Sequence, residues 1–179
     1  MSSIEIRPAR ETDLAAITAI YDHEVREKTA TFELTPPDLT EMTRRFRTLQ
    51  DGDFPYLAAT LDNDVLGYAY AGSYRPRPAY RFTVENSVYL APAAQRRGIG
   101  TQLLQRLIAE CEARGHRQMI AVIGDSANAG SIGLHRRCGF AMIGTHPHVG
   151  FKFGRWLDTV MMQRALGEGA ETVPAAAAV

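Results

Sequence analysis

Cysteine is scarce in this chain of 179 residues: Cys111 and Cys138 are the only two. Both fall in patterns that read as helices and lack the even, closely spaced framework of a disulfide-stapled secreted domain, so a reducing cytoplasm fits. Net charge is missing too, because twenty Lys and Arg balance twenty Asp and Glu. No overall field draws the chain to nucleic acid or to an anionic membrane. No apolar run approaches the roughly 18 residues of a membrane span, and the opening Met1–Arg7 stretch has no long apolar segment of the signal-peptide kind. His146-Pro147-His148 lacks a third or fourth ligand at a recognisable spacing, so no metal is expected. What is present is a 45% hydrophobic composition, enough for one sizeable core, and one domain is the expected organisation.

Ile4 and Ile6 alternate with polar neighbours as far as Arg7-Pro8, which predicts a short strand, and Thr12 is placed to cap the helix that follows. Leu14, Ile17, Ile20, Tyr21 and Val25 recur at helical spacing, and Leu39, Met42, Phe46 and Leu49 do so again after Pro36-Pro37. Tyr56–Thr60, an Asp62-Asn63-Asp64 turn and Val65–Tyr74 read as a hairpin, with Phe82–Leu90 as a strand alongside. Arg75-Pro76-Arg77-Pro78 between them is too rich in proline for a central strand and reads as an exposed loop. After Gly98 the period becomes helical, with Ile99, Leu103, Leu104, Leu107, Ile108 and Cys111 on one face and Gly115 as the stop. Met119–Ile123 is an unbroken apolar run, as in a strand covered on both faces. A helix from about Asn128 to Cys138 follows, then strands around Ala141–Thr145 and Trp156–Gln163. The strand–helix–strand–helix order over residues 82–138 predicts an α/β core. Residues 1–166 are read as one domain and 167–179 as a disordered tail.

The run Gln95-Arg96-Arg97-Gly98-Ile99-Gly100 joins a strand to a helix. Its glycines let the backbone approach a ligand closely, and the helix N-terminus adds partial positive charge to that of Arg96 and Arg97. A pyrophosphate suits such a site. A Walker A loop would end in Gly-Lys-Ser/Thr, and a dinucleotide fingerprint would carry a third glycine and a downstream acid. This run has neither ending, and by itself it reads equally as a tight turn with surface arginines.

The segment Thr83-Val84-Glu85-Asn86-Ser87-Val88-Tyr89-Leu90, continuing through Gln95 to Thr101, resembles the GNAT acetyltransferase superfamily. Gln95, Gly98 and Gly100 occupy the positions of its cofactor motif. The block from Asn128 to Phe140 resembles the superfamily's Asn-x-x-Ala/Ser…Gly-Phe element. Within the superfamily, Thr83–Tyr89 together with Phe151–Asp158 is similar to the branch of phosphinothricin and methionine sulfoximine N-acetyltransferases. The resemblance implies a mixed central sheet flanked by helices on both faces, acetyl-CoA as co-substrate, a small-molecule amine as acceptor and a homodimer.

It also implies roles for residues. Val88, Tyr89 and Leu90 would make main-chain contacts to the acetyl and pantetheine groups, Asn128 would contact the pantetheine arm, and Arg96, Arg97, Gly98, Ile99, Gly100 and Thr101 would hold the pyrophosphate. Arg137 would reach a coenzyme A phosphate, with exposed helix charge the plainer reading of Arg136. Glu85 would be the base that deprotonates the amine, which asks for a carboxyl whose pKa is raised by its surroundings. His135 stands where many relatives carry a tyrosine that protonates the leaving thiolate. A proton donor and a packing residue are level readings of it. Arg75 and Arg77 are spaced to fork onto a carboxylate or phosphinate, they align with basic residues of the branch, and Phe32 and Tyr80 are expected in the same pocket. Trp156, as the sole tryptophan, is expected in the core rather than at the pocket or a dimer contact. Two other functions stay in view: transfer to another amine, such as a peptide N-terminus or a polyamine, and a non-catalytic acyl-CoA-binding module.

Overall fold

The computed structural model describes residues 3–174. Its elements run β1 (Glu5–Pro8), α1 (Leu14–Glu27), α2 (Leu39–Asp51), β2 (Tyr56–Leu61), β3 (Asp64–Ser73), β4 (Thr83–Leu90), α3 (Ile99–Ala113), β5 (Gln118–Gly124), α4 (Ala129–Arg137), β6 (Ala141–Lys152) and β7 (Arg155–Ala165). The seven strands form one sheet in the order β1-β2-β3-β4-β5-β7-β6.

Two-residue alternation divides the core between the faces of the sheet. On one face Tyr56, Ala58 and Tyr68 pack under α1 and α2, which bury Leu14, Ile17, Ile20, Tyr21, Val25, Met42 and Phe46. On the other face Leu57, Ala59, Ala69, Ala71, Val84, Met119 and Ala121 meet the buried stripe of α3, including Leu103, Leu104 and Leu107. Because both faces are covered, β2 is buried at Tyr56 through Thr60.

One irregularity positions the site. β4 pairs antiparallel with β3 from Ser73↔Val84 to Gly67↔Leu90. It pairs parallel with β5 only from Thr83↔Gln118 to Asn86↔Ala121. Beyond that rung Val122, Ile123 and Gly124 pair with β7, and β4 continues along β3. The two central strands therefore fork after Asn86.

The connection between α1 and α2 is fastened over the far half of the sheet. Lys152, on β6 and only 4% exposed, donates to the carbonyls of Lys28 (2.8 Å) and Thr31 (2.9 Å), and burial lowers its pKa. The Phe32 ring lies over Gly124 and Gly150, where a Cβ would come within 2.9 and 2.3 Å of it.

Four local expectations change. Thr12 is exposed and caps nothing described. Asp13 stands at the N-cap position of α1 but makes no side-chain cap bond to it; its carboxylate instead accepts the Arg10 N–H (2.7 Å), closing the 3-10 turn Glu11–Asp13, and forks with Arg7 (2.7 and 2.9 Å). β6 extends from Ala141 to Lys152, well past Thr145, with irregular register between His146 and Gly150. It is an edge strand, so the prolyl nitrogen of Pro147 is tolerated there, and His146 and His148 are exposed on it. Trp156 is 62% exposed and packs edge-on against Phe151, outside the core. Of the segment read as a disordered tail, residues 167–174 are described: Gly169 bonds back to Leu166, and Arg117 reaches Glu168 and Thr172. Residues 175–179 lie outside the described residues.

Candidate active site

α3 begins at a backbone turn that only particular residues adopt easily. Arg96 and Gly98 both have left-handed backbones, with φ of 59° and 78°, so consecutive N–H groups converge rather than alternate. Gly98 is the N-cap and brings no side-chain cap, and the first turn of α3 holds no acidic residue. The opening N–H groups of α3 are therefore left to a ligand or to solvent, at the positive end of the helix dipole.

This turn floors a cavity of about 380 Å³. Val88, Tyr89 and Leu90 of β4, Arg96 and Gly98 of the turn, Ile99, Gly100 and Thr101 of α3, and Asn128 and Arg137 of α4 all line it. Among the expected cofactor contacts, Arg97 alone falls outside the lining. Leu90 is where β4 leaves the sheet, so the walls come from strand, turn and two helix ends.

Asn128 has a second task, because its Oδ1 accepts the Ser131 N–H (3.1 Å) and caps α4. Its side-chain NH₂ keeps donors for a ligand.

The cavity also contains residues that sequence reasoning missed. Ala30 belongs to the α1–α2 connection fastened by Lys152. Gly130, Ser131 and Leu134 come from the start of α4. Glu24 is a carboxylate only 7% exposed, with a pKa raised by burial. Its signal was in the pattern: Ile17, Ile20, Tyr21 and Glu24 share the buried face of α1, and a glutamate there breaks the apolar stripe.

A smaller cavity, about 40 Å³, lies in the fork itself. Ala30, Val88, Tyr89, Asn128 and Ser131 wall both spaces. His135 lines only this smaller cavity. It is 4% exposed, its Nε2 lies 2.9 Å from Asn86 Oδ1, and its Nδ1 lies 2.8 Å from the Ser131 carbonyl. Burial lowers its pKa.

Glu85 stands on the opposite face of β4 from Asn86, the face shared by Ser87 and Tyr89. Its cross-strand partner Gly72 sets no side chain against it, and the Leu49 side chain closes over that glycine. Burial alone raises its pKa, the direction a general base requires. It lines neither of the two cavities.

The expected acceptor residues are not gathered with the cofactor set. Arg75 and Arg77 are exposed, and neither forms an ion pair with a described carboxylate. The Arg75 guanidinium lies over the rings of Tyr74 (5.1 Å) and Tyr80 (5.8 Å), which braces that loop. Phe32, 36% exposed, is seated across the sheet on its two glycines. A third cavity, about 270 Å³ between α2 and the stacked rings of Tyr56, Tyr68 and Tyr70, contains none of the expected site residues. The described residues form no group of three or more metal-ligating side chains, and no helix among them is long and apolar enough to cross a membrane.

Comparison with known proteins agrees with this geometry. The profile of the acetyltransferase (GNAT) family matches residues 17–140. A phosphinothricin N-acetyltransferase of Alcaligenes faecalis is 56% identical over 169 residues, spanning 94% of this chain and 86% of the relative. An L-methionine sulfoximine/L-methionine sulfone acetyltransferase of Pseudomonas aeruginosa is 46% identical over 162 residues, 90% of this chain and 94% of the relative. Among solved structures, a GNAT superfamily phosphinothricin acetyltransferase from Sinorhizobium meliloti, in complex with AcCoA, superposes with a TM-score of 0.94 at 48% identity. That match covers 97% of this chain and 94% of the other. A forked mixed sheet with helices on both faces and an uncapped glycine turn at the fork's mouth is the GNAT fold, and this chain belongs to the acetyltransferase (GNAT) family.

Proposed function

We propose that this chain moves the acetyl group of acetyl-CoA directly to the α-amine of a small amino acid analogue of the phosphinothricin, methionine sulfoximine or methionine sulfone type. The observation that carries this reading is the convergence of an uncapped helix start and a released strand edge on one cavity. The co-substrate supplies an activated thioester. The residues present suit it: N–H groups at Ile99 to Thr101 with Arg96 for a pyrophosphate, Arg137 for a further phosphate, Asn128 for an amide-bearing arm.

The acceptor amine is mostly protonated at neutral pH. Glu85 takes that proton, and its raised pKa lets it accept one while remaining partly ionised. The amine lone pair then forms the C–N bond as the C–S bond breaks with its electron pair leaving on sulfur; the acylated nitrogen sheds its second proton to water, and the thiolate takes one from water. β4 past the fork offers main-chain N–H groups, free of β5, to negative charge developing on the acyl oxygen. Arg75 and Arg77 hold the acceptor's carboxylate or phosphinate. That preference favours an anionic amino acid over a polyamine.

We place the enzyme in a reducing cytoplasm, which suits its two buried free cysteines. As a homodimer it would cover exposed apolar groups of the β6–β7 hairpin, Phe151, Phe153 and Trp156, each more than half exposed. Sedimentation velocity should give a dimer that Trp156→Glu dissociates.

The deciding assay follows thiol release from acetyl-CoA with phosphinothricin, methionine sulfoximine and methionine sulfone, beside a peptide N-terminus and a polyamine. Turnover with the amino acid analogues is expected. Tight acetyl-CoA binding without transfer to any amine would sink the reading.

A further inference from the structure

The fork between β4 and β5 is held by a side-chain relay that no expected role explains. Asn86, 5% exposed, sits on the last paired rung. Its Nδ2 donates to the Ile120 carbonyl of β5 (3.1 Å). That bond fixes the amide's orientation and turns Oδ1 toward His135, whose Nε2 lies 2.9 Å away. The Asn86 amide oxygen and the Ser131 carbonyl both only accept, so each ring nitrogen that carries a proton donates it to one of them. On the other side of the ring, Nδ1 lies 2.8 Å from the Ser131 carbonyl and 3.4 Å from the Ser131 hydroxyl. β4, β5 and α4 thus meet at one imidazole. From the same start of α4, Asn128 and Ser131 wall both cavities.

We propose that Asn86 and His135 act as a pin that sets the opening of the β4–β5 fork, so that His135 is a positioning residue for the acyl site rather than its proton donor. Three observations carry this. Both ring nitrogens are engaged, Nε2 by Asn86 and Nδ1 by Ser131, so a ring proton handed to a leaving group is drawn from a bond that fastens the fork. Burial disfavours the imidazolium from which a proton would be delivered. The leaving group is a thiol, a far stronger acid than an alcohol, so it can depart as thiolate and collect its proton from water.

The pin matters because acyl transfer depends on ångström-scale placement. A fork that closes or gapes misplaces the N–H groups of β4 against the acyl oxygen and the α4 wall against the arm that carries it. This inference rests on the acetyl-transfer reading for its kinetic consequence, whereas its effect on acetyl-CoA binding does not.

Glutamine separates positioning from acid catalysis. His135→Gln retains an N–H near the place of Nε2, yet an amide delivers no proton at neutral pH. His135→Gln should stay within about threefold of the parent in kcat, whereas His135→Ala and Asn86→Leu should each lose about tenfold in kcat and weaken acetyl-CoA binding about tenfold by calorimetry. The double variant His135→Ala/Asn86→Leu should be no worse than either single, because each removes the same contact. A folded His135→Gln protein as slow as His135→Ala would overturn the proposal and restore the proton donor. Additive losses in the double variant, or unchanged acetyl-CoA affinity in Asn86→Leu, would also overturn it. Melting temperatures identify any variant that fails to fold, in which case His135→Gln and Asn86→Ser carry the comparison. If the parent binds acetyl-CoA but acetylates nothing, the calorimetric arm still tests the pin.

Discussion

The cofactor end and the acceptor end of this protein are built from different materials. At the proposed cofactor end, main chain supplies most of the wall: a left-handed turn, a helix start and a released strand edge point at one cavity. At the acceptor end the expected contacts are long side chains on an exposed loop, and Phe32 arrives from across the sheet on a separate connection. A backbone-made site is complete when the chain has folded. A side-chain site reaches its final shape only around its ligand, at a cost in ordering the groups that close on it.

Glu85, the proposed base for the acceptor, sits on strand β4 rather than on the exposed loop, and its replacement should have the largest effect. Glu85→Gln should lower kcat by about 10²-fold or more with little change in acetyl-CoA KM, measured by steady-state thiol release. The pH profile sharpens the assignment. Burial favours the neutral carboxyl, so activity should fall on the acid side at a pH above the usual glutamate range, and that limb should vanish in Glu85→Gln. Stability should move the opposite way. Between the unfolded and the raised folded pKa the native state binds more protons, so Glu85 costs stability as pH rises through that window. Glu85→Gln should therefore melt higher than the parent at pH 8, and that advantage should disappear below about pH 4, the unfolded glutamate range.

Gly98→Val tests the backbone end. A β-branched residue at φ 78° is strained by about 1–2 kcal/mol, and acetyl-CoA KM should rise about tenfold while acceptor KM stays level. Equal changes in both would dissolve the distinction between the two ends.

Arg75→Ala with Arg77→Ala should do the reverse, raising acceptor KM by about five- to tenfold at unchanged acetyl-CoA KM. Added salt should mimic that loss in the parent, because both guanidinium groups are exposed. The smallest expected effect is that of Gly150→Ala, which pushes Phe32 off its seat and should raise acceptor KM about two- to threefold by shifting a ring rather than removing a charge.

Legibility followed the same division. The turn from Gln95 to Gly100 was readable because a conformation that needs glycine, followed by a change of hydrophobic period, is written into neighbouring residues. The alternating run Thr83–Leu90 was readable for the same reason. The pin was not, since Asn86 and His135 are 49 positions apart and each alone is an ordinary polar residue on an element of its own. Trp156 was misplaced because its type favours burial, whereas its strand runs beside an exposed edge. Thr12 has the side chain of a cap, but it lies inside the 3-10 turn Glu11–Asp13 that precedes the helix, and that turn is closed by Asp13 on the Arg10 N–H. Glu24 was legible in principle as a charge on an apolar stripe.

The fastening of the α1–α2 connection has a chemical corollary. Of the twenty basic side chains, only Lys28 and Lys152 are lysines, and guanidinium groups stay protonated and do not attack thioesters. An enzyme that holds a reactive thioester close to its own surface risks self-acylation, and burial lowers the pKa of Lys152, which favours the neutral, nucleophilic amine. Its ammonium is sealed beneath the loop it holds, with the Lys28 and Thr31 carbonyls as its acceptors, so an amine that burial makes less basic is withheld from acylation by access.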